Sequence, residues 1–327
     1  MAATDELMLV RAAELYYDGN KTQDEIGALL SITRWKVGRL LAQAREDGIV
    51  RIEIVHPRAR RAPLERQLIS RFGLADAVVV PETADTLAVP TAAADYLAAL
   101  RPVPRTLGVS WGRTIDAVAT ALPEGWADGV NVVQVNGGLS LSRRGSDAAA
   151  TAVTIAQKAG GIATTLPIPA ILERRETRTI IEADRSVAAV LTLADTASAF
   201  LYSAGVADSD SVLVDSGYLS ADDVASLVRK GAVGDVLGRY IDSYGTIVDI
   251  GLDERTVGLG LDRLRAASTA IAVISGEAKH HVAHAVVSSG LCTVFVTDEA
   301  TALSVLRQQQ PALTHQPVLS EQPKEPE

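Results

Sequence analysis

The sequence predicts an α/β protein in two parts: an N-terminal (winged) helix-turn-helix domain followed by a larger Rossmann-like α/β domain. Two observations carry this. Residues 23–41 read QDEIGALLSITRWKVGRLL, in which small, turn and apolar residues fall at the spacing of two short crossing helices. Beyond residue 63, short apolar strands alternate with helical segments over ~250 residues, the pattern of a parallel sheet covered on both faces. The expected boundaries are 1–56 for the helical domain, 57–63 for a linker, 64–307 for the sheet domain and 308–327 for a tail.

Composition agrees with this partition and limits the cellular setting. A chain of 327 residues with 47% hydrophobic and 22% charged residues fits a globular protein of roughly two domains. Aromatics make up only 4%, so Val, Leu, Ile and Ala must build the core. The single cysteine, Cys292, excludes an internal disulfide and suits a reducing cytosol. Acids stand near the N-terminus where a signal peptide needs basic residues, and no run approaches the ~20 apolar residues of a membrane span. A cytoplasmic protein with no membrane partner is expected. The formal charge is −9, but it is unevenly spread. Residues 1–62 hold 10 Lys/Arg and 9 acids, for +1, which leaves −10 on the remainder. A local basic patch, not the global sum, sets attraction to phosphates.

Taken in order, Leu7, Leu9, Val10, Ala13, Leu15 and Tyr16 suggest a first helix, ended by Gly19-Asn20. Thr22 with Glu25 forms a capping box for the second helix, whose apolar side is read as Ile26, Leu29 and Leu30. Gly27 lets the helices cross closely, and Ser31 sits at the turn where glycine is commonest. Ile32 points inward, Thr33 caps the next helix, and Val37 and Leu40 face the core. Thr33, Arg34, Trp35, Lys36 and Arg39 are left on or near the outer face, with Thr22 and Gln23 opening the preceding helix; these seven are the candidate DNA-contacting residues. The bland alternative is a three-helix bundle with a charged face. Gly38 lies within the second helix of the pair, where absence of a side chain would permit close approach to a backbone. The alternating IVRIEIVHP at 49–57 suggests a wing or linker strand, and RARRAP at 58–63 either a phosphate contact or a solvated linker.

In the larger domain, strands are expected at 76–80, 106–110, 130–135, 199–202, 212–214, 246–249, 270–274 and 293–296. Helices are expected at 64–72, 91–100, 114–122, 148–159, 186–193, 222–230, 278–288 and 300–307. Ligands on such sheets bind at the carboxyl ends of the strands. Three loops there carry glycine and polar residues. GVSWGRT at 108–114 offers Gly108 and Gly112 for close backbone approach, the hydroxyls of Ser110 and Thr114, the charge of Arg113 and a helix N-terminus, a combination suited to an anion. A tight turn with no ligand is the alternative; the loop lacks the Gly-Lys-Ser/Thr ending of a nucleotide triphosphate site. NGG at 136–138 follows another strand, and SGEAK at 275–279 brings Lys279 to the start of a helix. Asp235 and Asp242, from the glycine-rich 231–242, suit sugar hydroxyls or capping.

Other residues are weighed and set aside. His280 and His284 stand four apart, yet no Glu, Cys or carboxylate pattern completes a metal site, so surface or subunit-contact roles are expected. Cys292 precedes an apolar strand and reads as core. No Ser-His-Asp context is found. The Gln-, Pro- and Glu-rich tail from 308 is expected to be disordered.

The stretch TQDEIGALLSITRWKVGRLLAQAREDGIVRIEI at 22–54, with GVSWGRT, NGG, GAVGDVLGRYID, SGEAK and VTDEATA in this order, resembles the SorC-type (DeoR-like, sugar-binding) bacterial transcriptional regulators over about residues 5–307. The resemblance implies an effector domain similar to sugar-phosphate isomerases and deaminases, a phosphorylated sugar or polyol effector, double-stranded operator DNA as partner, and a homo-oligomer, usually a tetramer. It implies Ser110, Gly112, Arg113, Thr114 and Lys279 against a phosphate, with Trp111 in the same loop, and Asn136, Gly137, Gly138 and Asp235 along the sugar. Ser31, Ser275 and LYSAGV at 201–206 depart from the usual pattern. The expected function is a regulator, as repressor, of a carbohydrate catabolic operon, with no catalytic residue, cofactor or metal. The alternatives are a sugar-phosphate isomerase or deaminase with an appended helical domain, and an oligomeric scaffold. No His lies near the three loops to serve as an acid or base.

Overall fold

The computed structural model describes residues 3–50, 60–138 and 148–308. The expected wing strand, part of the linker, and the tail beyond Gln308 lie outside the described residues. Two compact units divide the chain, Met1–Pro57 and Arg58–Glu327.

The first unit contains three helices, α1 (Ala3–Tyr17), α2 (Gln23–Leu30) and α3 (Arg34–Glu46). Thr22 closes a complete capping box on α2: its hydroxyl accepts from the Glu25 N–H, and the Glu25 carboxylate accepts from the Thr22 N–H at 2.8 Å. Ser31 takes the left-handed conformation (φ 54°) that ends α2, so the turn is made without the usual glycine. A Cβ on Gly27 would fall 2.8 Å from the Ile32 carbonyl oxygen, which is why the crossing needs a glycine. The core joins Leu9, Ala12 and Ala13 of α1 to Ile26 of α2 and to Val37, Leu40, Leu41 and Ala44 of α3. Leu29, expected on the apolar side, is exposed, as is Leu7. Both lie off the faces that α1 and α2 turn toward α3.

The second unit is built on a seven-stranded parallel sheet. In chain order it runs α4 (Ala62–Phe72), β1 (Asp76–Val80), α5 (Ala88–Ala99), β2 (Thr106–Val109), α6 (Arg113–Ala121), β3 (Asn131–Gln134), α7 (Ala148–Lys158) and β4 (Ile162–Thr164). There follow α8 (Arg175–Ala183), α9 (Arg185–Asp195), β5 (Ala199–Tyr202), β6 (Ala204–Gly205), α10 (Val212–Asp215), α11 (Ala221–Arg229), β7 (Gly234–Val236) and β8 (Arg239–Ile241). The chain closes with α12 (Ile250–Asp253), α13 (Leu261–Ala266), β9 (Ala270–Val273), a 3-10 turn at Glu277–Lys279, α14 (His280–Ser288), β10 (Val294–Asp298) and α15 (Glu299–Arg307). Strand order is β1-β10-β9-β5-β2-β3-β4, and β6-β7-β8 form a small antiparallel sheet beside it. Alternate residues of the strands feed two apolar layers: Val79, Phe200, Ala272 and Phe295 enter one, and Val78, Leu107, Leu201 and Val296 the other.

Several elements differ from the sequence reading. Residues 212–214 are not a strand: Ser211 caps a short helix there, accepting from the Leu213 N–H, and Leu213 is buried. At 246–249 there is only an isolated bridge from Ile247 to Ile241, while Asp249 caps α12. The SGEAK segment opens as a 3-10 turn before α14 begins. The arginines at 60 and 61 are neither solvated linker nor free for phosphate. Arg60 donates to the Glu65 carboxylate at 2.7 Å and to the Ala77 carbonyl, and the Arg61 N–H bonds the Val79 carbonyl while its guanidinium pairs with Glu299 at 2.8 Å. Glu65 also accepts from the Val79 N–H at 2.9 Å. Together these groups occupy the free edge of β1, which would otherwise present unpaired backbone.

Candidate functional site

β2 pairs with β3 on one side and with β5 on the other, so connections leave it in opposite directions and a crevice opens at the carboxyl ends of β2 and β5. A cavity of about 190 Å³ lies there. Its lining brings together Ser110, Trp111, Gly112, Arg113 and Thr114 after β2, Asn136 after β3, Asp235 of β7 and Lys279 before α14. The volume is below the ~300–1,000 Å³ of drug-sized pockets, so a small molecule is the matching occupant.

Two of the polar groups among the lining residues lack a partner. Ser110 and Asn136 are 4% and 5% exposed, yet Ser110 Oγ and Asn136 Oδ1 have no hydrogen-bond partner within the protein. Orphaned buried oxygens carry a desolvation cost that an incoming donor would remove. Gly112, at φ 125°, starts α6 without any side-chain cap, leaving the first N–H groups of that helix for an anion. Arg113 is exposed and its guanidinium is held by the Asp210 carbonyl at 2.9 Å.

Asp235 and Lys279 set the electrostatics. Burial pushes the Asp235 carboxyl up to about 6, opposed by the Gly238 N–H that donates to it at 2.9 Å and by the Lys279 ammonium. Burial likewise pulls Lys279 below the ordinary lysine range, offset by Asp235 and reinforced by Arg113. Lys279 Nζ stands 3.4 Å from Ser203 Oγ. Asp235 therefore lines the cavity as well as bonding the Gly238 N–H in the β7–β8 turn, where Leu237 and Gly238 both take positive φ.

Gly137 and Gly138 are a correction of role. Neither lines the cavity. A Cβ on Gly137 would sit 2.3 Å from the Pro169 carbonyl oxygen, and one on Gly138 would sit 2.8 Å from Trp111 Nε1. Trp111 in turn donates to the Gly137 carbonyl at 2.8 Å, so the two glycines seat the tryptophan that walls the site. Gly108 also differs from expectation: a Cβ there would strike Phe200 and Val135, so it serves sheet packing and not anion approach. Asp242 holds the Tyr244 and Thr246 N–H groups in a turn. Sequence reasoning missed Ser203, Val206, Val212, Leu213 and Leu237 in the lining, and buried Gln134, whose amide nitrogen donates to the Asn136 carbonyl at 2.8 Å. Strand order supplies the missing signal for Ser203 and Val206, because β5 is the neighbour of β2 across the crevice.

The histidine reading is also corrected. His284 is buried, packing edge-on against Phe72, and is not a surface residue. Among the described residues no cluster of three or more His, Cys, Asp or Glu is placed to hold a metal. Cys292 lies in the core, where burial pushes its thiol up to about 12. No described helix is long and apolar enough to cross a membrane.

In the first unit, Thr22, Thr33, Arg34, Trp35, Lys36 and Arg39 are exposed and Gln23 is half-buried. Thr33 caps α3 by accepting from the Lys36 N–H at 3.2 Å. Arg39 stacks on the Trp35 ring at 5.4 Å, and Arg34 lies 3.5 Å from Asp24.

A cavity with a few polar groups at the switch point of a parallel sheet, following a helix-turn-helix, is the arrangement of a ligand-responsive regulator. Residues 56–307 match the sugar-binding domain family. The deoxyribonucleoside regulator of Bacillus subtilis is 30% identical over 91% of this chain and 96% of its own length, and the erythritol catabolism regulatory protein EryD of Brucella abortus is 27% identical over 94% and 99%. The full-length sorbitol operon regulator SorC of Klebsiella pneumoniae superposes with a TM-score of 0.68 at 27% identity, covering 93% of this chain and 99% of that one. The chain belongs to this sugar-binding family and is a transcriptional regulator of the SorC type.

Proposed function

We propose that the protein represses a carbohydrate catabolic operon by binding double-stranded operator DNA through α3, and that a small phosphorylated sugar or polyol in the cavity sets its affinity. The observation that carries the effector half is the pair of orphaned buried oxygens, Ser110 Oγ and Asn136 Oδ1, on two residues that line a small cavity beside the uncapped start of α6. In this reading the phosphate takes the α6 N–H groups, Thr114 and Lys279, and hydroxyls take Asn136, Ser110 and Asp235. Arg113 contributes charge from the rim. Relatives named for a deoxyribonucleoside, erythritol and sorbitol support a small polyhydroxy effector. The working form is a symmetric homo-oligomer, a tetramer, in the cytoplasm, meeting half-sites one or more helical turns apart. The effector acts only through its differential affinity for two arrangements of the protein.

A thermal-shift screen against sugar phosphates and the matching free polyols tests this, repeated with Asn136→Ala. A raised melting temperature that the variant loses, together with release of the chain's own upstream DNA in an electrophoretic shift, is the expected result. The enzyme alternative could draw only on a carboxyl and a lysine that line the same cavity, Asp235 and Lys279. Turnover of pentose or hexosamine phosphates by the purified protein would establish that reading over the regulatory one.

A further inference from the structure

The outer face of α3 presents two arginines in different situations. Arg34, at its first position, lies 3.5 Å from the Asp24 carboxylate, with both side chains about 70% exposed. A carboxylate that close offsets part of the guanidinium charge and turns Arg34 back toward α2. Arg39 has no carboxylate partner among the described residues. Instead its guanidinium lies 5.4 Å from the centre of the Trp35 ring, one turn earlier on the same face. Trp35 is 74% exposed, so nothing in its own unit requires that ring for packing. Between them, Gly38 adds no side chain beside the pair; a Cβ there would meet only Gln23 Oε1, at 3.5 Å.

Stacking on an indole face does two things for an arginine. It restricts a side chain that otherwise samples many rotamers, and it fixes the plane of the guanidinium fork. A fixed fork is what bidentate pairing to the O6 and N7 of guanine requires in the major groove. We infer that Arg39 is the base-reading arginine of this protein, selecting a guanine in each half-site, and that Trp35 is the positioning residue that orients it, while Arg34 and Lys36 anchor to phosphate. This rests on the DNA-binding reading above and assigns labour within it.

The test uses a randomised DNA duplex pool, selected against the full chain and four variants. Because Trp35 and Arg39 are exposed, thermal midpoints should match the parent in all of them. The wild-type chain should enrich a motif containing an invariant guanine, and Arg39→Ala and Arg39→Lys should lose the preference there by about tenfold or more. Trp35→Ala should weaken the same position, whereas Trp35→Phe, which keeps a ring face, should retain it. A Trp35→Ala motif with the guanine intact, or altered only at another base pair, overturns the positioning role. An unchanged motif with Arg39→Ala overturns the reading role. If the wild-type chain enriches no motif, the DNA-binding reading itself fails, an outcome distinct from either.

Discussion

Asp235→Asn should make the protein more stable and less responsive, and the size of the first effect follows from the cavity. The carboxyl is 7% exposed, and burial lifts its pKa from an ordinary 3.8 to about 6. At 1.36 kcal/mol per pH unit, holding the charged form in the folded state costs roughly 3 kcal/mol. The sign is that of an acid raised on folding: the protonated form is favoured in the native state. Stability from this group is fully present below the unfolded value and is lost as pH rises through about 6. Asparagine keeps the shape and an oxygen for the Gly238 N–H but carries no charge to desolvate. Urea unfolding should therefore show the variant ahead by about 2–3 kcal/mol at pH 7.5, by about half that near pH 5, and level with wild type toward pH 4. The thermal shift given by an effector should shrink, because a contact is lost. A gain independent of pH would mean that it does not arise from the carboxyl's titration, and a loss at pH 7.5 would mean that Lys279 outweighs burial and the carboxylate is a net stabiliser. The stabilised but deaf variant is the usual signature of a group retained for function.

Lys279→Met removes the cation that lowers Asp235, so the pH at which stability falls should move above about 6; a downward move would separate the two residues. Gly137→Ala should destabilise by about 1–3 kcal/mol, since the neighbour at 2.3 Å is backbone, with loss of Trp111 seating read from tryptophan fluorescence. Gly38→Ala, with only a side-chain oxygen at 3.5 Å, should instead raise stability by roughly 0.5–1 kcal/mol in thermal unfolding, and a loss would reveal a contact on that face. Glu65→Ala should cost about 1–2 kcal/mol by denaturant titration, because it strands the buried Val79 N–H while the half-exposed Arg60 keeps the Ala77 carbonyl; a change under ~0.5 kcal/mol would mean water replaces the carboxylate.

The alternation of strands and helices was legible because parallel strands buried on both faces, such as DAVVV at Asp76–Val80, are continuous apolar runs. The loops after β2 and β3 and the start of α14 were legible because glycine and polar residues interrupt that pattern. What escaped lacks such punctuation. Residues 212–214 are Val-Leu-Val, a strand by composition, and only the serine cap and the burial of Leu213 make them a helix. α8 is rich in charge and buries no residue fully; its large apolar residues are Ile180 and Ile181, too short a pattern to set it apart from loop. The β7–β8 turn uses Leu237 at φ 56° with Gly238, not the Asn-Gly or Asp-Gly pair that marks such hairpins. Gly137 and Gly138 were found for the right place and the wrong reason: a glycine motif does not say whether the missing Cβ makes room for a ligand or for a neighbour.

The charge balance of the helical unit gains meaning from the fate of Arg60 and Arg61. Counted over residues 1–57, seven Lys/Arg face nine acids, so the unit is net −2. Were Arg60 and Arg61 available to DNA, they would bring that sum to zero. They are instead committed to Glu65, Glu299 and the edge of β1. On the proposed reading, the non-specific attraction of the described residues, which scales with the number of phosphates neutralised, rests chiefly on Lys36, Arg34 and Arg39. One of these is partly offset by Asp24 and another is stacked on Trp35. On the proposed reading, a unit of net −2 gains little from DNA in general and depends on the base contacts proposed for α3, which would bias it toward discrimination over grip.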